Sequence, residues 1–173
     1  MPILTYTSSN PIVDGRQSEL ALMIQRGTTR FFLQNNIALL PELTLGNGRR
    51  ADLVGINEKG KIILIEIKSS IEDFKVDQKW PEYREHCDFF YFASHKGVPA
   101  EIFPQEEGFI LADNYGAEVI REAKEEKLPA GSRKALTLRF ARTSTSRLEK
   151  IIRFAQNSGV TVPDDISGIT DTD

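Results

Sequence analysis

PELTLGNGRRADLVGINEKGKIILIEIKSS, residues 41–70, is the stretch on which the reading of the fold turns. Its apolar residues come in three short runs, Ala38–Leu45, Arg49–Ile56 and Lys61–Lys68. Gly46-Asn47-Gly48 and Glu58-Lys59-Gly60 separate them. Turns of about three residues containing glycine predict an antiparallel meander. Side chains two apart on a strand share a face, so Glu66 and Lys68 point one way and Ile65 and Ile67 the other. Pairing Asn57 with Lys61 sets Asp52 opposite Glu66, and the same logic across Gly46-Asn47-Gly48 sets Glu42 opposite Asp52. A bulge would shift either register by one.

Outward from the meander, Leu20, Ile24, Gly27 and Phe31 recur at helical spacing, which predicts a first helix over 15–35. Asp14 followed by Gln17 resembles a capping box at its start, and residues 1–13 read as an irregular arm. Residues 72–86 predict a helix broken or restarted at Pro81. Asp88–Ala93 (DFFYFA) is a buried strand, and Gly108–Ala112 with Ala117–Arg121 form a hairpin around Asp113-Asn114-Tyr115-Gly116. Helical pattern returns over 132–142 and 145–156, with Thr143–Ser146 read as a break between two helices. This order predicts an α/β domain on a central mixed sheet flanked by helices. One domain is expected over 1–157, followed by an acidic, disordered tail over 158–173.

The 173 residues, 40% hydrophobic and 27% charged, exclude a disordered or collagen-like chain. No apolar run reaches the length of a membrane span, and no secretory signal is visible, so a cytoplasmic protein is expected. The single cysteine, Cys87, excludes an internal disulfide and fits a reducing compartment. The net charge of −3 is unevenly distributed. The last ten residues hold four aspartates and no base; without them 22 bases face 21 acids. Arg133–Arg153 holds seven bases and one acid. That run suits either a solvated helix face or a phosphate-binding one.

Three carboxylates in a row across neighbouring strands would repel one another. A cation between them removes the conflict, and hard oxygen donors suit Mg²⁺ or Mn²⁺. Lys68 beside them would orient an attacking water or offset charge on a phosphoryl transition state. The bland alternative is a solvated sheet face with scattered charges, since an isolated E-x-K in a strand is common.

The combination of Ala51-Asp52 on one strand with Glu66-Ile67-Lys68 on the next resembles the PD-(D/E)XK nuclease superfamily, whose active site is an aspartate followed by (D/E)-x-K. Glu19 on the first helix matches the helix glutamate of that group; the proline that precedes the aspartate there is replaced by Ala51. More narrowly, RRADLVGI, LIEIKSS, KWPEY, CDFFYFA and GFILAD are similar in order to the bacterial MmcB-type DNA repair family, over most of residues 10–155. The resemblance implies a restriction-endonuclease-like core and Asp52, Glu66, Lys68 and Glu19 as catalytic residues. Asp52 and Glu66 would be metal ligands, and Glu42, placed by its register alone, would be a third ligand, a support behind the ligands or a mere edge charge. The superfamily includes members that have lost catalysis, but Asp52, Glu66 and Lys68 are all present here.

Supporting residues each have a plain alternative. Glu19, Arg26 and Arg30 share a stripe of the first helix, either reaching site and phosphate or forming a salt-bridged surface. Arg49 and Arg50 lie by the site and would contact phosphate or pair with carboxylates. Gln78, Lys79 and Tyr83 follow the E-x-K strand as substrate-binding candidates, although Gln78 and Tyr83 are one residue further apart than the Q-x-x-x-Y of related nucleases. Trp80 reads as core or as a base-stacking platform. His86-Cys87-Asp88 does not converge on one point as a nucleophile or zinc site would, and His95 reads as a loop residue.

The expected function is a Mg²⁺- or Mn²⁺-dependent, DNA-repair nuclease. The alternatives are a non-catalytic DNA- or partner-binding module, with Arg139, Arg142 and Arg147 meeting the phosphates, or a structural subunit of a repair complex. DNA is the expected partner, other repair proteins and a homodimer are compatible with the sequence, and no membrane is implied.

Overall fold

The computed structural model describes residues 18–163. The N-terminal arm, the Asp14–Gln17 capping box and residues 164–173 of the acidic tail lie outside the described residues. Helix α1 spans Glu19–Gln34 and is capped by Ser18, whose Oγ accepts from Ala21 N at 3.1 Å. Then come β1 (Ala38–Thr44), β2 (Arg50–Ile56), β3 (Ile62–Ile67), α2 (Ile71–Val76), α3 (Pro81–Arg84), β4 (Phe89–Ser94), β5 (Gly108–Ala112), β6 (Ala117–Arg121) and α4 (Ala130–Asn157).

All six strands form one sheet in sequence order. β1, β2 and β3 are the antiparallel meander, β4 and β5 add in parallel, and β6 closes antiparallel to β5. The mixed sheet follows from the connections. Tight glycine turns can only reverse a strand, whereas the longer crossovers carrying α2 and α3 let β4 run parallel to β3.

Each face of the sheet buries its own core. Leu53, Ile63, Ile65, Tyr91 and Ile110 pack under Ile24 and Phe32 of α1. Val54, Leu64, Phe90, Phe92, Phe103 and Phe109 fill the other face. Trp80 belongs to this second core, stacked on Phe90 with ring centroids 5.7 Å apart, so it is not an exposed stacking platform. Pro81 starts α3 as expected, splitting the 72–86 segment into two short helices.

One expectation at the C-terminal end is corrected, and one alternative left open there is narrowed. The segments at 132–142 and 145–156 are one continuous 28-residue helix. The Thr143–Ser146 run does not break it, because Thr145 Oγ1 donates back to Ala141 O at 3.0 Å. The basic run is also not one phosphate-facing surface. Arg147 donates to the carbonyls of Pro41 and Glu42 and so clamps α4 to β1. Arg133 forks onto Asp88, and Arg153 pairs with Glu149. Ser158 caps α4, and Val160 N bonds Ala155 O at 2.9 Å, so the described start of the tail continues the helix end.

Candidate functional site

The site is built where the β2–β3 ladder stops. The paired register has the expected phase, with Leu53 opposite Ile65 as its last pair. One step further, Asp52 and Glu66 fall opposite each other, and side chains replace the backbone ladder. Ile67 N donates to Asp52 Oδ2 at 2.8 Å, and Asp52 N to Glu66 Oε1 at 3.4 Å. Each acid thus satisfies an amide freed by the end of pairing.

Lys68 follows at the end of β3, held in the sheet by Lys68 N to Ala93 O at 2.9 Å. Its side chain is only 6% exposed. Nζ lies 2.5 Å from Asp77 Oδ2 and 3.8 Å from Glu66 Oε2. Asp77 caps the end of α2, and also accepts from Lys79 N at 3.0 Å. Asp73 accepts from Ser69 N at 3.0 Å. Asp52, Glu66, Lys68 and Asp73 line one cavity of about 310 Å³ together with the capping Ser18 and Ala21 of α1.

Burial sets the charges. It pushes the Asp52 carboxyl above its ordinary range, against the Ile67 amide and the Lys68 charge. It pushes Glu66 well above, and the neighbouring Asp52 charge adds to this. Burial opposes the Lys68 ammonium too, but the Asp77 hydrogen bond and the surrounding carboxylates hold its pKa above that of an ordinary lysine. Burial alone would raise Asp77, yet the Lys68 contact keeps it low. The cluster is therefore a fixed cation beside one firmly ionised aspartate and two acids that resist ionisation.

The other candidates are placed as follows. Glu42 keeps the expected phase opposite Asp52, between the pairs Pro41↔Leu53 and Leu43↔Ala51. Its backbone has φ 50°, however, and its carboxylate lies 3.4 Å from the Arg50 guanidinium. It does not line the cavity. Among the described residues no group of three or more His, Cys, Asp or Glu side chains is placed to hold a metal ion, so the three-carboxylate row is not assembled as a ligand set. Glu19 is exposed, and its neighbours Ser18 and Ala21, not Glu19, border the cavity. Arg49 forks onto Glu82. Gln78 is exposed and turns back to Lys75 O at 2.7 Å, and Lys79 is exposed. Tyr83 is buried, and its hydroxyl donates to Arg50 O at 3.2 Å. The charges of Glu66 and Asp52, added to burial, raise its pKa further, so the phenol stays protonated.

Sequence reasoning passed over Asp73 and Asp77 as site residues. A carboxylate spaced for the cap of the short helix after the E-x-K strand was the available signal. His95 is a loop residue, with Nε2 3.1 Å from Ser69 O.

A solved structure of a protein of unknown function from Silicibacter pomeroyi matches with a TM-score of 0.75 at 36% sequence identity, covering 78% of this chain and 92% of that one. No curated protein matches the chain. Among the described residues no helix is long and apolar enough to cross a membrane. The family model for MmcB-like DNA repair proteins matches residues 8–155, a span that includes the whole meander, the carboxylate pair and Lys68. The chain belongs to the MmcB-like family of DNA repair proteins.

Proposed function

We propose that the chain is a metal-dependent, PD-(D/E)XK-type nuclease that hydrolyses DNA phosphodiester bonds in the cytoplasm during repair. The observation that carries this reading is the Asp52–Glu66 pair, with Glu66 buried and Asp52 half-buried. Two carboxylates on neighbouring strands face an open cavity, burial pushes both above the ordinary carboxylate range, and a charged lysine stands beside them. Membership in a DNA repair family supports DNA as the substrate.

A divalent ion fits this donor set. Mg²⁺ is commonly held by one or two carboxylates with water completing its shell, which Asp52 and Glu66 would provide without Glu42. Once bound, it would supply Lewis acidity toward a water and a phosphoryl oxygen. The chain does the rest. Lys68 keeps its proton, so it acts as a positive hydrogen-bond donor that orients water or offsets phosphoryl charge, and not as a base. Asp77 fixes where Nζ sits. Tyr83 braces the backbone at Arg50 from beneath.

A specific observation favours the second reading, a non-catalytic DNA- or partner-binding module. The carboxylates already satisfy the amides of the opened ladder, and Lys68 already has Asp77. Cleavage of single- and double-stranded DNA with Mg²⁺ or Mn²⁺ decides between them. The nuclease reading expects metal-dependent cleavage that Asp52→Ala and Lys68→Ala each abolish while thermal melting stays cooperative. Activity surviving both changes sinks the mechanism, and salt-sensitive DNA binding without cleavage supports the module.

A further inference from the structure

We propose that the cleft between α1 and the β5–β6 turn is a second nucleic-acid site, one that takes one or two nucleotides of single-stranded DNA. The proposal rests on the DNA reading above but not on catalysis. The cavity measures about 820 Å³ and is lined by Gln25, Arg26 and Arg30 of α1 and by Asn114 and Tyr115 of the turn, among others, with no acidic side chain among its lining residues. Arg26 and Arg30 lie five and nine residues beyond Ala21, which puts them about half a turn round the helix from the residue bordering the carboxylate cavity. The two sites are separate.

The cleft is rigid. Helix and turn meet at Gly27, where a Cβ would stand 2.0 Å from Asp113 O and 2.3 Å from Gly116 O. Asp113 Oδ1 accepts from Tyr115 N at 2.7 Å and from Gly116 N at 2.9 Å. Arg30 donates to Tyr115 O at 3.2 Å, which ties the tip to the helix. On this fixed tip the Tyr115 side chain stays 76% exposed. The backbone beneath this large exposed aromatic is already ordered, which lowers the cost of using it as a stacking surface.

The lining specifies the occupant. Arg26 is exposed and Arg30 uses one nitrogen on the turn, so two guanidinium forks one helical turn apart border the cleft and would meet an anion there. Such forks match phosphate oxygens. Gln25 also lines the cleft, where its side-chain amide would meet a base edge. Phosphate donors, a stacking ring and an amide together describe a nucleotide. A duplex keeps its base faces stacked on one another, so Tyr115 needs a single strand.

The test is fluorescence anisotropy of the full chain with a labelled single-stranded oligonucleotide in EDTA, which removes cleavage from the readout. Tyr115→Ala should weaken binding between about 5- and 100-fold with the salt slope unchanged. Arg26→Ala, which breaks no hydrogen bond or ion pair among the described residues, should weaken binding and lower the slope of log K against log salt by about 0.7. Wild-type affinity in both variants overturns the site, as does a wild-type protein that binds only duplex. Competition by polyglutamate as effective as by unlabelled oligonucleotide assigns an acidic-peptide site instead, and also overturns it. Metal-dependent cleavage lost in Asp52→Ala, with Arg26→Ala and Tyr115→Ala binding normally, would leave the nuclease reading standing and remove this one.

Discussion

Asp88→Asn tests the account of what holds the site-bearing strands in place. The Asp88 side chain is fully buried at the start of β4, between β3, the segment before α4, and α4 itself. Oδ2 accepts from Ile62 N at 2.8 Å and Oδ1 from Leu128 N at 3.0 Å, while the Arg133 guanidinium forks across both oxygens. Burial alone would raise this carboxyl, but the Arg133 fork and the two amides bring it from 3.8 down to about 2. An asparagine keeps the shape but has one acceptor oxygen, so at least one buried donor loses its partner and Arg133 loses its counter-charge. Removing one member of a buried pair costs about 3–5 kcal/mol, and for a chain of this size each kcal/mol moves Tm by about 2–4 °C. A fall of about 6–20 °C is therefore expected. The sign with pH follows from the lowered pKa. Asp88 contributes fully above pH 3.8 and loses its contribution as pH falls toward 2, about 2 kcal/mol in all. Urea unfolding of wild type, Asp88→Asn, Arg133→Met and the double variant across pH 2–7 measures both. A single variant within about 1 kcal/mol of wild type, or no coupling in the cycle, refutes the reasoning.

Two further outcomes follow from the site and its surroundings. Glu66→Gln should raise Tm in EDTA by about 2–8 °C, because stabilising substitutions of this kind commonly contribute about 1–2 kcal/mol. An acid with a raised pKa costs nothing while protonated, so this gain should shrink to zero as pH falls below 4.5, checked by differential scanning fluorimetry; a lower Tm for the variant in EDTA at neutral pH contradicts it. Gly27→Ala should cost about 1–3 kcal/mol, since its Cβ meets the backbone oxygens of Asp113 and Gly116 at 2.0 and 2.3 Å and neither is a side chain that can swing away. A thermal melt unchanged by that substitution contradicts the seating of the turn on α1.

The meander and the facing of Asp52 with Glu66 were legible because the information is local. Gly48 and Gly60 adopt positive φ where the turns need it, and two-residue alternation then sets every side chain between them. What was not legible depends on contacts far apart in sequence. Arg147 reads as a phosphate ligand until α4 is seen to lie across β1, more than a hundred residues away, with its guanidinium on two carbonyls. Glu42 reads as a ligand from its register, but its left-handed backbone and the Arg50 pairing take it out of the cavity lining. Asp77 was passed over because nothing in the sequence fixes how α2 folds back over Lys68. The Thr143–Ser146 run has break-like composition, yet a helix exposed on that side can satisfy its hydroxyls internally.

The two readings of the carboxylate pair differ in one physical respect, which is whether the bonds made by Asp52 and Glu66 account for their burial. Ending a ladder over two amides needs only neutral acceptors. Asparagine and glutamine would accept from Ile67 N and Asp52 N without the desolvation that drives both acids upward. A purely structural site has no use for ionisable groups here, whereas a cation site needs their charge. That asymmetry makes metal linkage the discriminating measurement. A ligand that binds only the folded state adds RT ln(1 + [L]/Kd), about 2.7 kcal/mol at a hundredfold excess over Kd. With Mg²⁺ present, wild type should therefore close or reverse the stability gap to Glu66→Gln. A gap indifferent to Mg²⁺ and Mn²⁺ would mean that the acids are held for another purpose, and the binding-module reading would take precedence.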